Sequence, residues 1–276
     1  MQRRIFAWKP CAVIFALLLA TTARALGPNS SPEIAKANPR LLRALEQSTA
    51  AVPILIGLQD GTPSARALLE NPDPQGEPER QIRRLAAQKR LSEEMPPEQF
   101  LARRYYENFS IMAAEATAEG VRAIANRSDV AWVVLDEKRE LFQSVSPQAP
   151  RILIKSDQAN ALGFTGRGQT VAVLDTGVDS TIPELGGAPF PNSKVVGGFS
   201  TPEPGGEPKD CEGHGTSVAA IVASTSGVAP DAKIYAVKLF PGCEGFTFDS
   251  LIVEGINNVI KALKRRAFGY KNMYYF

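Results

Sequence analysis

Histidine is almost absent from this sequence, because His214 is the only one among 276 residues. Imidazole is the side chain that titrates near neutral pH without special surroundings. Any acid–base chemistry carried out by histidine in this protein must therefore use His214, and the residues around it are the first place to look for function.

A large excess of charge of one sign is also missing. The chain has 31 Lys and Arg residues against 29 Asp and Glu residues, which gives a formal net charge of +2. A near-neutral balance provides no broad basic surface for phosphates. We therefore predict no nucleic-acid partner.

Long apolar runs are missing except near the start of the chain. Residues 1–25 begin with positive charge at Arg3, Arg4 and Lys9, continue with an apolar run over residues 12–20, and end in a small-x-small site at 23–25. This pattern is typical of a cleaved secretory signal, and the run is too short for a stable membrane span. We predict a secreted or periplasmic protein with no membrane contact after signal removal; the alternative is an N-terminal anchor.

Cysteine is scarce, with three residues in the chain. Removal of the signal leaves Cys211 and Cys243, and an even pair in an oxidising compartment predicts a disulfide. It would join the loop before His214 to the loop after a predicted strand at residues 234–239; two free thiols are the alternative. Two cysteines and one histidine without close paired spacing argue against a zinc site, so we predict no metal and no cofactor.

The residues around His214 predict the start of a helix. Gly213 and Gly215 flank the imidazole and allow backbone to approach closely, and the apolar residues over 218–222 recur at helical spacing. A ring at this position lies beside unpaired backbone N–H groups and the positive end of the helix dipole, which disfavours imidazolium and preserves a base. The alternative is a histidine that only caps a core helix.

An aspartate ends a predicted strand upstream of this helix. Residues 170–175 are mostly apolar or β-branched, as in a buried parallel strand, and they end in Asp175 before Thr176 and Gly177. Ligand chemistry in open α/β sheets occurs at the carboxyl ends of strands. Asp175 and His214 therefore fit a base and its orienting carboxylate.

Three sequence blocks resemble the subtilisin-like serine proteases: residues 173–178 (VLDTGV), 213–219 (GHGTSVA) and 227–234 (GVAPDAKI). The resemblance implies a parallel-sheet α/β catalytic domain, polypeptide substrates, and Asp175 and His214 as two of the three catalytic residues. Ser217 stands where the family usually has a second histidine. The loop at 224–227 is short and lacks carboxylates, so the family's calcium site is expected to be absent here.

The family's serine block, Gly-Thr-Ser-Met-Ala-x-Pro, does not occur in the sequence. Residues 215–219 look similar, but Ile221 stands where the proline belongs. Ser217 is also three residues along the helix from His214, about 300° around its axis. We reject Ser217 as the nucleophile and expect a fragment, from a truncated or frameshifted reading frame, that is inactive as given.

The rest of the chain predicts a small α+β domain at residues 50–140. In it, we predict a helix at 79–94 with Ile82, Leu85 and Leu91 facing inward, and one strand over 105–114. Residues 109–136 resemble the inhibitory pro-domains of the same family, which implies an intramolecular inhibitor; a generic α+β binding domain is the alternative. The predicted order is a signal (1–25), a lead-in (26–49), an inhibitor-like pro-domain (50–140), a linker (141–151) and the N-terminal part of an incomplete subtilisin-like catalytic domain (152–276).

Two rival functions remain open. The chain could be a non-enzymatic secreted pro-domain that binds or inhibits proteases. It could also be an aspartic protease, because residues 175–177 read Asp-Thr-Gly. That mechanism needs two carboxylates that share a proton, yet the sequence has no second Asp-Thr-Gly, and the block around His214 would be unexplained.

Overall fold

The structure is a computed structural model that describes residues 36–63, 73, 76–141 and 154–268, with side chains described up to residue 263 of the last helix. The predicted signal (1–25) and most of the predicted linker (141–151) lie outside these residues. Across the described ranges, no helix combines the length and apolar character that a membrane span requires.

The first half of the described chain forms an antiparallel sheet of four strands with three helices. The strands lie in the order β2-β3-β1-β4, and all neighbouring pairs are antiparallel. In chain order, the elements are α1 (Pro39–Gln47), β1 (Val52–Leu58), α2 (Glu77–Glu94), β2 (Phe100–Tyr105), β3 (Ile111–Ala116), α3 (Ala118–Asn126) and β4 (Val130–Leu135). We call these elements together the N-terminal unit; they form the α+β arrangement that the sequence predicts.

Strand β1, inside the sheet of the N-terminal unit, packs on both faces. On one face, Ile54 and Ile56 of β1 pack with Leu41 of α1 in an apolar core. On the other face, Leu55 packs in a second cluster that includes Val253, which belongs to a helix of the second half of the chain. Because successive strand residues point to opposite faces, β1 contributes to both cores.

Helix α2 differs from its predicted packing. Leu91 is fully buried as predicted, but Ile82 is 69% exposed, and the buried face also carries Arg80, Arg84 and Gln88. Gln88 explains part of this arrangement: its amide donates to Tyr106 O and accepts from Tyr106 N. Buried backbone groups need hydrogen-bond partners. Because Gln88 supplies partners to the backbone of Tyr106, the face of α2 that carries Gln88 points inward.

The single strand predicted at residues 105–114 is wrong. The structure has two strands, β2 and β3, joined by a turn at residues 106–110, and the two pair with each other. In this turn, Tyr106 and Asn108 leave the sheet and contact the second half of the molecule, as described below.

The second half forms a three-stranded parallel sheet in the order β6-β8-β7. Its apolar central strand contains Ile234, Ala236 and Val237, all fully buried. The elements are β5 (Lys138–Glu140), α4 (Ser156–Ala161), β6 (Thr170–Asp175), β7 (Val195–Ser200), α5 (His214–Ala223), β8 (Lys233–Lys238), β9 (Phe246–Phe248) and α6 (Asp249–Phe268). The predicted class, an α/β parallel-sheet domain preceded by a small α+β unit, is confirmed.

The N-terminal unit contacts the second half at the start of α6. Tyr106 Oη donates to Ser250 O at 2.9 Å, and Asn108 Nδ2 donates to Asn257 Oδ1 at 2.9 Å. At the end of β4, Asp136 Oδ1 accepts from Ser250 N at 2.9 Å. Asp136 therefore supplies an acceptor to one of the free N–H groups at the N-terminus of α6.

Burial raises the pKa of Asp136 above its usual value of 3.8, although the hydrogen bonds from Ser250 act in the opposite direction. The nearby Asp249 adds to the increase, and Arg104 opposes it. The charged form of Asp136 is therefore favoured less in the folded protein than in water.

Replacing Asp136 with Asn tests this electrostatic cost. Asp136→Asn keeps an oxygen that can accept from Ser250 N and removes the charge that burial disfavours. We expect a melting temperature at neutral pH equal to or above that of the wild type. The folded state binds the Asp136 proton more tightly than the unfolded chain. The melting temperature of the wild type should therefore approach or pass that of Asp136→Asn as pH falls through the raised folded pKa towards 3.8.

Thermal unfolding at several pH values measures the difference, with Glu140→Gln as the control because Glu140 is exposed. The Glu140→Gln variant should show no such pH-dependent gap. A lower melting temperature for Asp136→Asn than for the wild type at every pH would contradict the conclusion that the charge on Asp136 destabilises the fold at neutral pH.

The proposed domain division leads to a second prediction. The linker at residues 141–151 is polar with two prolines, whereas β3 and β4 are hydrogen-bonded strands of a buried sheet. We expect limited proteolysis to cut first within or beside 141–151, as mass spectrometry of the early fragments would show. First cuts within residues 105–135 would argue against the division.

Candidate active site

The structure brings Asp175 and His214 into direct contact, although they are 39 residues apart in sequence. Asp175 ends β6, and His214 is the first residue of α5. His214 Nδ1 lies 2.7 Å from Asp175 Oδ1, and both side chains are largely buried. An ionised carboxylate can only accept, so Nδ1–H donates to Asp175 and the lone pair of Nε2 is left to act as a base.

Asp210 anchors the start of the histidine helix. Its Oδ1 accepts from Glu212 N at 3.0 Å and from Gly213 N at 2.9 Å. Its Oδ2 accepts from the backbone N–H and the hydroxyl of Thr216. Burial alone would raise the pKa of Asp210, but these hydrogen bonds hold it below its usual value of 3.8. Asp210 thus satisfies N–H groups that a helix start leaves unpaired.

Gly215 allows α5 to approach the Asp175 turn closely. A Cβ at this position would lie 2.2 Å from Gly177 O and 3.0 Å from Asp175 Cβ. The glycine N–H donates to Thr176 Oγ1 at 2.8 Å. The close approach that Gly215 and Gly177 permit is what sets the imidazole beside the carboxylate.

Thr216 makes a second link between α5 and the loop after β6. Its Oγ1 donates to Asp210 Oδ2 and accepts from Asp179 N at 2.9 Å. One hydroxyl therefore joins the capping carboxylate to the aspartate loop. The helix that carries His214 is held to the end of β6 at both Thr176 and Thr216.

The subtilase family model matches residues 166–267. Over these residues, the chain is similar to the subtilase family. An alkaline protease of Alkalihalobacillus alcalophilus is 36% identical over 161 residues, which cover 55% of this chain and 38% of the relative. Subtilisin BL of Lederbergia lenta is 41% identical over 112 residues, covering 37% of each protein. The chain thus spans less than two fifths of the length of these curated relatives.

Among solved structures, a cold-adapted subtilisin-like serine proteinase matches with 32% sequence identity and a TM-score of 0.32. The match covers 36% of this chain and 34% of that protein.

Ser217, in the subtilase histidine block, uses its hydroxyl within the helix. Ser217 Oγ donates to Gly213 O at 2.9 Å. A serine that bonds to the carbonyl four residues earlier directs its proton at the helix backbone. Its rejection as a nucleophile stays a prediction that only an activity measurement can test.

Cys211 and Cys243 form a disulfide with a Cα–Cα distance of 5.3 Å. It joins the loop before α5 to the loop between β8 and β9. Beneath it lies Lys238, which is 4% exposed and donates from Nζ to Lys209 O at 3.1 Å and to Gly242 O at 2.8 Å.

Two further residues of this site, Asp210 and Lys238, are not predicted from the sequence. The signals available were an aspartate four residues before a helix-starting histidine and a lysine at the end of an apolar strand. Neither is specific, because most aspartates and lysines at such positions are solvated.

The described residues contain no group of three or more His, Cys, Asp or Glu side chains arranged to hold a metal ion. The roles of Asp175 and His214 in catalysis remain proposals.

Asp210→Asn tests whether the cap holds the site together. The Asn side chain has one oxygen and one NH2 group, and the NH2 group cannot accept a hydrogen bond. If it replaces Oδ2, the Thr216 N–H is unpaired; if it replaces Oδ1, the N–H groups of residues 212 and 213 are unpaired. We expect a loss of about 1–3 kcal/mol in the free energy of unfolding at neutral pH. Because the folded pKa of Asp210 is lowered, its contribution is complete above about 3.8 and disappears as pH falls through the folded value.

Denaturant unfolding measures this loss, with Asp157→Asn as the control because Asp157 is an exposed aspartate in the first turn of α4. The gap between wild type and Asp210→Asn should narrow below about pH 4. Equal stability of the Asp210 and Asp157 variants at neutral pH would show that the cap contributes little.

Proposed function

We propose that this chain supplies the aspartate and histidine of a serine-type endopeptidase of the subtilisin family. In the proposed reaction, His214 Nε2 takes the proton of a serine hydroxyl as that oxygen attacks a peptide carbonyl. Asp175 holds the imidazole in the required tautomer and stabilises the imidazolium that forms. The observation that carries this proposal is the 2.7 Å contact between His214 Nδ1 and Asp175 Oδ1 at the carboxyl end of a parallel sheet.

A polypeptide substrate is supported by how the chain uses the edge of β9. Residues 138–140 lie along β9 as an antiparallel strand, with Lys138 opposite Phe248 and Glu140 opposite Phe246. Leu141 N then donates to Gly245 O at 3.0 Å. A strand edge that accepts one extended segment through backbone hydrogen bonds can accept another of different sequence.

The same contact supports an inhibitory role for residues 50–140 as a pro-domain. The segment that covers β9 is continuous with the N-terminal unit, which is itself held to α6 through Tyr106 and Asp136. Leu141 packs against an apolar cluster that includes Leu239 and Phe240. We propose that this segment occupies the edge that a substrate would need, so that the unit inhibits in cis.

The serine is not supplied by a recognisable block in these 276 residues. We therefore propose that the chain does not hydrolyse peptides by itself. The relatives named alkaline protease and subtilisin BL support the reaction class. Cleavage at a secreted or periplasmic location fits the disulfide and the predicted signal.

The decisive experiment supplies the missing nucleophile. The full chain is refolded with the serine-bearing C-terminal segment of the alkaline protease of Alkalihalobacillus alcalophilus, and casein hydrolysis is measured with and without a serine-directed covalent inhibitor. We expect no hydrolysis by the chain alone, and inhibitor-sensitive hydrolysis after complementation once a cut within residues 141–151 has released the N-terminal unit from the edge of β9. Asp175→Asn should reduce the complemented rate by about 10⁴-fold and His214→Ala by about 10⁶-fold, the scale known for subtilisin itself.

Two outcomes would change this conclusion. Inhibitor-sensitive hydrolysis by the chain alone that disappears in His214→Ala would reveal a nucleophile within the chain. Inhibition of the intact alkaline protease by the full chain, with no hydrolysis after complementation, would favour the non-enzymatic inhibitor instead.

A further inference from the structure

The Cys211–Cys243 disulfide lies at the surface beside a buried ammonium group. Both cysteines are exposed, so a small thiol can reach the sulfur atoms. Lys238 Nζ lies 3.8 Å from Cys211 Sγ and is almost completely buried. Because the ammonium group lies beside Cys211 Sγ, the two sulfur atoms of this exposed disulfide should differ in how well each leaves as a thiolate.

The charge on Lys238 is available to a sulfur atom. Besides Cys211 Sγ, its hydrogen bonds go to two carbonyl oxygens, those of Lys209 and Gly242. Among the described carboxylates, none lies within ion-pair distance of Nζ. Gly242 O is also 3.1 Å from Cys211 Sγ, but it already accepts from the ammonium group.

Acidic residues flank both cysteines. Cys243 is followed by Glu244, and Cys211 lies between Asp210 and Glu212. The two acids beside Cys211 are already engaged, because Asp210 accepts four hydrogen bonds and Glu212 Oε2 accepts from His214 N at 2.9 Å. The ammonium of Lys238 contacts Cys211 Sγ directly, and this contact favours the thiolate form at Cys211.

We propose that this disulfide is a thiol-exchange site, at which a low-molecular-weight thiol attaches to Cys243 and Cys211 is released as a thiolate beside Lys238. The inference is independent of the proposed peptidase activity, because it rests on the surroundings of the disulfide and needs no catalytic serine.

The first step of the exchange forms one sulfur–sulfur bond and breaks another, so it needs no additional oxidant or reductant. An external thiolate attacks Cys243 Sγ, a new sulfur–sulfur bond forms, the Cys211–Cys243 bond breaks, and Cys211 Sγ takes the bonding pair as a thiolate. A second thiolate can then attack the external sulfur and release Cys243 as a thiolate together with the oxidised disulfide of the small thiol. The first step is faster when the leaving sulfur is the better stabilised thiolate.

Opening the bridge would loosen two elements of the site at once. Cys211 is three residues before His214, and Cys243 is three residues before β9. The disulfide thus ties the start of the histidine helix to the strand edge that residues 138–140 cover. The Asp210 cap remains after exchange, so we expect a shifted and less stable site and not an unfolded one.

Mass spectrometry of the full chain after brief exposure to reduced glutathione tests the direction of attack. The reaction is stopped with acid, free thiols are alkylated, and both cysteine peptides are quantified. We expect glutathione on Cys243 and the alkyl group on Cys211 in about tenfold excess over the reverse. Equal labelling, glutathione mainly on Cys211, or no adduct on the folded protein would overturn the proposal.

Matched lysine variants test the cause. Lys238→Met should bring the labelling ratio close to one, whereas Lys209→Met should leave it unchanged, because only the backbone carbonyl of Lys209 contacts Nζ of Lys238. If Lys238→Met does not fold, the labelling ratio in the unmodified chain still tests the direction of attack. An unchanged ratio in a folded Lys238→Met protein would exclude the ammonium as the cause.

Two further measurements test the effect on the site. His214 is the only imidazole in the chain, so a single Cε1–H resonance reports its surroundings, and it should move when the bridge opens. The melting temperature should fall by roughly 5–10 °C. An adduct that leaves both quantities unchanged would contradict the link between the disulfide and the histidine helix.

Discussion

The site depends on the close approach of the first turn of α5 to the end of β6. Only a glycine at 215 leaves room for Gly177 O at this crossing, and the freed N–H group of Gly215 bonds to Thr176. The approach alone would leave the helix start with unpaired donors, so Asp210 accepts from them. Steric access and hydrogen-bond satisfaction thus act together to hold one imidazole against one carboxylate, which is the pre-organisation that acid–base chemistry needs.

Two carboxylates at helix N-termini, the buried Asp210 and the half-buried Asp136, have opposite pKa shifts because they accept different numbers of hydrogen bonds. Asp210 receives hydrogen bonds from three backbone N–H groups and a hydroxyl, which outweigh its burial. Asp136 receives bonds from Ser250 only, close to the negative charge of Asp249, so burial prevails. Asp210 therefore stabilises its helix at neutral pH and loses this contribution in acid, whereas the charge on Asp136 is a cost at neutral pH that protonation relieves.

Helix α6 and strand β9 serve both halves of the molecule. Val253 completes the second core of the antiparallel sheet, and Ser250 bonds to Tyr106 and Asp136 at the start of the helix. The strand just before the helix pairs with residues 138–140. A conformational change in the loop that carries Cys243 would therefore reach both the edge of β9 that residues 138–140 cover and the surface that holds the N-terminal unit.

The sequence by itself determined the Asp175–His214 pair, the parallel sheet and most element positions, because these follow from local signals: apolar strands that end at a carboxylate, glycines beside a histidine, and helical spacing. The sequence prediction placed Ile82 in the core and joined β2 and β3 into one strand. Both errors arise near Gln88 and Tyr106, where a side chain bonds to the backbone of a loop, and hydrophobic periodicity contains no information about such bonds. Only the tertiary structure decided that Asp210 caps the site, that Lys238 lies under the disulfide and that residues 138–140 cover β9. Those contacts depend on which free donors, acceptors and charges meet once the chain has folded, and hydrogen bonds between segments so far apart leave no spacing to read in the sequence.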